Sequence, residues 1–229
     1  MSDHVFAVLL EVPPAHEATF NTIYDTDHLL HMIEVPGVRN CARYRLDWSD
    51  NAAEMPKYLA LYEIDGPEVP RSAAWKQQSA KGAWPTEMRP HVTVRRNGVF
   101  SHISYAAAGG GKVRGAKGLT QADNIYFLLQ AIPAALDATF NRLYDGDHIP
   151  LMLQAPGAQA CTRFKLAWSE SGDVPDYLAI YEIDNTDVPR SLAWKQQTNL
   201  GAWPTQMRPN FTARRNGAFH RIGYFGPRK

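Results

Sequence analysis

The sequence predicts an α+β fold in which two similar halves pack their antiparallel sheets against each other. The first observation is an internal repeat: Phe20 returns as Phe140 and Trp75 as Trp194, at offsets of 120 and 119 residues. This period is too long for a solenoid and suits a small domain. The second observation is the shared order of strand and helix patterns in the two copies. A sheet with helices on one face must bury its other face, and the second copy is the obvious partner.

The chain divides into repeat 1 at residues 1–106, a linker at 107–123 and repeat 2 at 124–229. The linker is rich in glycine and lysine and poor in apolar residues, which predicts a flexible connection. A pocket between the halves would then be built by both of them.

Composition excludes several classes of partner. Hydrophobic residues make up 45% of the chain, which is ordinary for a globular protein, and the net charge of +1 gives no bulk attraction to nucleic acid or an anionic membrane. No apolar run approaches the length of a membrane span. Cys41 and Cys161 occupy equivalent positions, a poor disulfide framework, so we expect two buried thiols and a cytoplasmic location.

Each copy begins with a strand and a long helix. Val5–Val12 and Ile125–Ile132 are apolar runs ended by proline, typical of buried strands. His16–Glu34 and Leu136–Gln154 carry apolar residues at helical spacing, and a Pro-Gly pair follows each.

The remainder of each copy predicts two strands, a short helix and a last strand. The middle strands are 41–48 and 58–64, or 161–168 and 177–183, and the short helices are 70–80 and 189–200. The last strands, 92–96 and 211–215, are followed by Asn-Gly and another apolar run, a hairpin signal. The resulting order of strand, helix, strand, strand, helix, strand is that of a ferredoxin-like repeat.

One motif resembles a known family. Tyr24-x-x-x-His28 lies in a helix that ends at Pro36-Gly37, and the strand Ala42-Arg43-Tyr44 follows. This arrangement resembles the dimeric α/β-barrel superfamily, with the EthD-like branch as the nearest match. The resemblance implies a tandem-duplicated, pseudo-dimeric α/β barrel. Its members include cofactor-free monooxygenases, polyketide cyclases, muconolactone isomerases and dehalogenating lyases, and some bind haem.

The resemblance also implies the catalytic residues, because such enzymes line the barrel cavity with a helix histidine and a sheet Tyr or His. His28 and His148 match the helix position and are the only histidines at equivalent places in the two copies. An imidazole can transfer protons near neutral pH. Tyr44 matches the sheet position, where the second copy has Phe164. The catalytic candidates are His28, His148, Tyr24, Tyr144 and Tyr44. The alternative is that each histidine belongs to a polar helix end.

A second set of residues could bind the substrate. Arg43 and Arg163 could hold an anionic group, because guanidinium binds carboxylates bidentately; Glu63 could instead pair with Arg43. The loops that begin at Trp84 and Trp203 could close the mouth of a barrel or serve as packing plugs. The substrate-binding candidates are Arg43, Arg163, Trp84, Trp203, Tyr62 and Tyr181.

The function that follows is a cofactor-independent enzyme of lyase or isomerase type, acting on a small aromatic, lactone or polyketide-like molecule. No metal-ligand spacing or glycine-rich phosphate loop is present, so we expect neither metal nor cofactor. Two alternatives stay open: a non-catalytic protein that binds a small apolar ligand, and a haem protein with an axial histidine. A homodimer of the tandem chain also stays open.

Overall fold

A computed structural model describes residues 3–50, 55–110 and 121–226. Eight strands form one closed antiparallel barrel in the order β1-β3-β2-β8-β5-β7-β6-β4. The strands are β1 (His4–Glu11), β2 (Val38–Trp48), β3 (Tyr58–Ile64), β4 (Val94–Ala107), β5 (Asn124–Ala131), β6 (Ala158–Trp168), β7 (Tyr177–Ile183) and β8 (Ala213–Phe225). The α+β barrel expected from the sequence is therefore confirmed.

The two sheets join through long strands that cross from one half to the other. β8 pairs with β5 of its own half and with β2 of the first half, and β4 pairs with both β1 and β6. Corresponding strands use corresponding registers: Val5 pairs with Glu63 in the first half, and Ile125 pairs with Glu182 in the second.

The helices cover the outside of the barrel. In the first half, α1 (Glu17–Ile23) and α2 (Leu29–Met32) flank a π-helical turn at Tyr24–His28, and α3 (Ala73–Ser79) follows β3. A second π-helical turn, Trp84–Met88, precedes β4. The long predicted helix is thus two α-helical pieces around a π-helical turn.

The second half repeats this arrangement, except that a short α-helix takes the place of the second π-helical turn. Its elements are α4 (Asp137–Leu143), a π-helical turn (Tyr144–His148), α5 (Ile149–Met152), α6 (Leu192–Gln197) and α7 (Trp203–Gln206). Short 3-10 turns lie at 14–16, 69–71, 89–91, 134–136, 188–190 and 208–210. Ser72 and Ser191 cap α3 and α6 by accepting a hydrogen bond from the Trp75 and Trp194 amides, each at 3.1 Å. No helix among the described residues has the length and apolar character needed to cross a membrane.

The predicted Asn-Gly hairpins are wrong. Asn97 and Gly98 lie inside β4, where they pair with Val8 and Ala7 of β1. Gly98 does not have the positive φ that a tight hairpin turn needs. A Cβ at Gly98 would lie 2.9 Å from the Leu166 Cδ1 atom, so the glycine instead makes room for core packing. Most of the predicted linker, at 111–120, lies outside the described residues.

Side chains from both halves fill the barrel interior, which corrects the expectation of a cavity there. Successive residues of a strand point to opposite faces. Val5, Ala7 and Leu9 of β1 face inward, whereas Phe6 and Val8 face the helices. The inward set includes Ala42, Tyr44, Leu59, Leu61, Phe100, Ile125, Phe127, Leu129, Phe164, Leu178, Ile180 and Phe219. Space for a ligand therefore lies outside the barrel wall, beneath the helices.

Candidate functional site

Each half has a cavity between the outer face of its sheet and its helices. The His28 cavity has a volume of about 670 Å³, and its lining includes Phe6, Tyr24, His28, Tyr62, Trp75 and Trp84. The His148 cavity has a volume of about 450 Å³ and is lined by equivalent positions, among them Tyr126, His148, Tyr181, Trp194 and Trp203. Volumes of this size accommodate a small organic ligand.

His28 is the last residue of the first π-helical turn, and Tyr24 is the first. Their ring centroids are 5.0 Å apart, with the planes inclined by 66°. Tyr144 and His148 have the same relationship, at 5.1 Å. π-helical turns occur frequently at functional sites. The structure thus brings together the predicted catalytic pair of each half, although Tyr144 packs beside His148 rather than lining its cavity.

The predicted tryptophans stack on the histidines. The Trp84 and His28 ring centroids are 4.8 Å apart with planes inclined by 26°, and those of Trp203 and His148 are 4.4 Å apart at 16°. The His28 side chain is buried, and its Nδ1 atom has no hydrogen-bond partner among the described residues. Because His28 lines the cavity and its Nδ1 atom is buried, Nε2 is the ring nitrogen that remains for a ligand.

Both imidazoles are neutral near neutral pH. Burial, followed by the charge of Arg89, lowers the pKa of His28 from 6.5 to about 3. Burial, followed by the charge of Arg208, lowers the pKa of His148 to about 3. Desolvation disfavours the charged form of a histidine, and nearby cations add to that effect. Each ring therefore offers a neutral nitrogen to its cavity.

The aspartate beside each histidine positions the tryptophan. The Asp27 carboxylate accepts hydrogen bonds from the amides of Ala83 at 2.8 Å and Trp84 at 3.4 Å. A Cβ on Gly82, which has a φ of +68°, would lie 2.2 Å from the same carboxylate. Asp147 holds the Ala202 and Trp203 amides in the same way, at 2.8 and 3.3 Å. Asp27 also lies 3.4 Å from His31 Nε2, and no hydrogen bond joins it to His28 Nδ1.

Arg43 and Arg163 do not reach the cavities, which corrects their expected role in binding substrate. The Arg43 guanidinium is buried, with Nη1 2.5 Å from Asp25 Oδ1 and Nη2 2.7 Å from Asn21 Oδ1. It also lies 4.8 Å from the centroid of the Tyr24 ring. The carboxylate that pairs with Arg43 is thus Asp25 rather than Glu63.

Arg163 has equivalent contacts, each at 2.7 Å, with Asp145 and Asn141. Because both guanidiniums already have their partners, they hold the first helix of each half to the barrel.

Tyr44 also lies away from the cavities, contrary to the prediction. Its side chain points into the filled barrel interior, where its hydroxyl donates a hydrogen bond to the Ala122 carbonyl at 3.1 Å. His28 lies on the other side of the barrel wall. The Tyr44-to-Phe164 difference between the repeats is therefore a difference in core packing. Tyr62 and Tyr181, in contrast, face the cavities as expected.

Charged residues that were not predicted surround the mouth of the His28 cavity. The lining contains Arg71, Lys76, Arg89 and Arg95, with Glu170 as its single carboxylate among the described residues. Glu170 comes from the second half and pairs with Arg95 at 3.1 Å. The sequence repeat could have indicated these four cations, because they recur in the second copy as Arg190, Lys195, Arg208 and Arg214. Only closure of the barrel brings Glu170 to the cavity. No group of three or more His, Cys, Asp or Glu side chains suited to a metal occurs in the described part of the chain.

Solved structures share this fold at low sequence identity. An anthrone oxidase-like protein matches with a TM-score of 0.65 and 12% identity, over 98% of this chain and 94% of the other. A candidate monooxygenase from Lactobacillus acidophilus NCFM matches with a TM-score of 0.55 and 10% identity, over 99% and 97%. A mutant chlorite dismutase from Candidatus Nitrospira defluvii matches with a TM-score of 0.57 and 13% identity, over 95% and 91%.

At such identities these similarities concern the barrel fold alone. No family model matches the sequence, and no curated protein matches it either.

Proposed function

We propose that this protein is a cofactor-independent enzyme of lyase or isomerase type that acts on a small aromatic, lactone or polyketide-like molecule in the His28 cavity. One observation carries the proposal: a buried, neutral histidine lines an aromatic cavity whose mouth is predominantly cationic. The anthrone oxidase-like and monooxygenase-like neighbours support a catalytic role for such a barrel.

The surroundings of His28 suit a flat ligand with an acidic carbon-hydrogen bond. Trp84 covers one face of the imidazole, while Phe6, Tyr62 and Trp75 supply further aromatic walls. Such walls bind planar apolar groups by stacking and desolvation. The cations at the mouth, among them Arg89, would hold an oxygen anion or a carboxylate.

The proposed chemistry is proton transfer. The ligand's carbon–hydrogen bond breaks, its electron pair remains on the ligand as an enolate, and the proton moves to Nε2 of His28. The enolate and the imidazolium then stabilise each other in a site of low dielectric constant. Return of the proton at another carbon completes an isomerisation, and departure of a leaving group completes an elimination.

The test is turnover and binding by a His28→Phe variant against a panel of hydroxyanthrones, naphthols and unsaturated lactones. We expect turnover to fall by a factor of about 100 or more, the usual contribution of a general acid or base. Binding should change little, because phenylalanine keeps the stack on Trp84. His148→Phe is the matched control. Turnover that survives in His28→Phe would contradict the role of His28, and a wild-type protein that binds these compounds without turnover is instead a non-catalytic binder.

Haem binding is the second candidate, because a neutral imidazole is also the form of histidine that ligates iron. His28 would bind the iron, and Arg89 and Arg95, which line the same cavity, would bind the carboxylates of the haem. Haem would supply iron redox chemistry. A Soret band that appears with haemin in the wild type and is lost in His28→Phe would establish this function, whereas a protein that stays colourless excludes it.

We further propose that the chain is a tandem duplication of a ferredoxin-like repeat of the EthD-like branch. The shared strand registers and the equivalent π-helical turns support the duplication. A reducing compartment such as the cytoplasm agrees with two free, buried cysteines.

A further inference from the structure

We propose that the His148 cavity is a second ligand site, whose ligand is a small hydroxylated organic acid. Equivalent positions in the two cavities differ in ways that change what each can bind. The His148 cavity has Tyr126, Gln130 and Phe211 where the His28 cavity has Phe6, Leu10 and Val92. The second cavity is consequently smaller and more polar, at about 450 Å³ against about 670 Å³.

Gln130 provides the strongest sign of a ligand. Its side chain is 3% exposed, lines the cavity and makes no hydrogen bond within the described residues, and its Oε1 atom is buried without a partner. A buried amide oxygen without a donor destabilises the fold. The fold does not require it, because the equivalent position in the first half is the apolar Leu10. A hydroxyl group on a ligand would supply the missing donor.

The charges around the cavity select an anion. Lys195, Arg208 and Arg214 line it, and the described lining contains no carboxylate. Arg214 has a distant partner in Asp50, at 3.5 Å, and Lys195 has no ion-pair partner among the described residues. The Arg208 guanidinium donates to Asn199 Oδ1 at 2.9 Å and to the Thr198 carbonyl, and both acceptors are neutral. A carboxylate would neutralise part of this cluster.

Phe211 limits the size of the ligand. Its ring centroid is 5.7 Å from that of Trp203 and 6.4 Å from that of Phe140, and the aliphatic Val92 occupies its place in the first half. The cavity therefore suits a single ring or a short chain carrying a hydroxyl and an acid group. The two halves would accordingly serve different ligands, independently of the reaction proposed for His28.

The experiment uses 3-hydroxybenzoate and benzoate as probes on the full chain labelled with 5-fluorotryptophan. Trp84→Phe and Trp203→Phe variants assign the two fluorine resonances, which report on the His28 and His148 cavities respectively. We expect 3-hydroxybenzoate, whose hydroxyl cannot donate to its own carboxylate, to shift the Trp203 resonance saturably. It should bind about tenfold more tightly than benzoate, which is the effect of one hydrogen bond to a buried partner.

Gln130→Leu should remove this preference for the hydroxyl, and Gln130→Met is a second variant with the same expectation. The matched control is Gln154→Leu, at an exposed position of the same half. The proposal is overturned if the probe shifts only the Trp84 resonance, if it shifts neither, or if both Gln130 variants keep the preference. Turnover by His28→Phe tests the function proposed for the His28 cavity, and its result is independent of ligand binding in the His148 cavity.

Discussion

The guanidinium carbon of Arg71 lies 3.7 Å from the ring centroid of Trp168, and these residues belong to different halves of the chain. The Trp168 indole also donates a hydrogen bond to the Pro67 carbonyl at 2.7 Å. The reciprocal contact joins Arg190 to Trp48 at 4.0 Å. Each half therefore packs a tryptophan from its second strand against the other half, Trp168 beside Phe6 and Trp48 beside Tyr126.

Replacing Trp168 with alanine should lower the free energy of unfolding by about 2 kcal/mol, because a half-buried indole is removed together with its cation–π contact. Urea denaturation measures the change. Leu192→Ala, at a side chain that is 72% exposed, should have almost no effect. Equal losses in the two variants would contradict a bridging role for Trp168.

Acid should destabilise the protein through its two buried histidines. Each has a pKa of about 3 in the fold and about 6.5 when unfolded, so between these values the unfolded state binds more protons. The contribution of these histidines to the free energy of unfolding is therefore complete above about pH 6.5. It falls as the pH decreases toward 3, by on the order of 1 kcal/mol per pH unit for each histidine. Unfolding free energies measured between pH 4 and 7 should show a shallower slope for His28→Gln than for the wild type, and an unchanged slope would contradict this contribution of His28.

Arg43 should matter for stability rather than for ligand binding. Arg43→Ala leaves Asp25 and Asn21 without their buried partner, and we expect a loss of about 3 kcal/mol. Arg43→Lys keeps the charge but not the two-pronged geometry, so its loss should be smaller. Ligand affinity of the lysine variant, measured calorimetrically, should equal that of the wild type; a large decrease would return Arg43 to the binding site.

Asp27 should control the position of Trp84. Asp27→Ala leaves the Ala83 and Trp84 amides without their acceptor, so we expect a loss of about 1 kcal/mol, a change in tryptophan fluorescence and weaker binding in the His28 cavity. Asp27→Asn retains an acceptor oxygen and should be milder. Asp147→Ala is the matched control, since its effect belongs to the other cavity.

The residue at position 92 should set the size of the His28 cavity. Val92→Phe introduces the side chain that narrows the second cavity at Phe211, and we expect ligand affinity to fall about tenfold while the fold is kept. The exchange Phe211→Val should widen the His148 cavity and admit larger ligands. Calorimetric titration with a single-ring ligand and with a ligand of three fused rings distinguishes the narrowing of the His28 cavity from the widening of the His148 cavity.

Local sequence patterns determined much of the fold. β3 and β7 were predicted residue for residue at Tyr58–Ile64 and Tyr177–Ile183, because β-branched and aromatic residues there are bounded by clear turn signals. The repeat also identified His28, Tyr24 and Trp84 as a recurring set, since each half must preserve the packing around its own helix. The Asn-Gly pairs do not form the predicted turns, because the same dipeptide also fits a crowded strand such as β4.

The tertiary structure alone decided on which side of the barrel wall each residue lies. The alternation along β2 places Arg43 and Tyr44 on opposite faces of the sheet, but the sequence does not indicate which of these faces the helices cover. Closure of the barrel then brought Arg71 to Trp168 and Arg95 to Glu170, pairs far apart in the chain. Contacts of this kind depend on strand order and register, which are set by the burial of the whole sheet and not by any local segment.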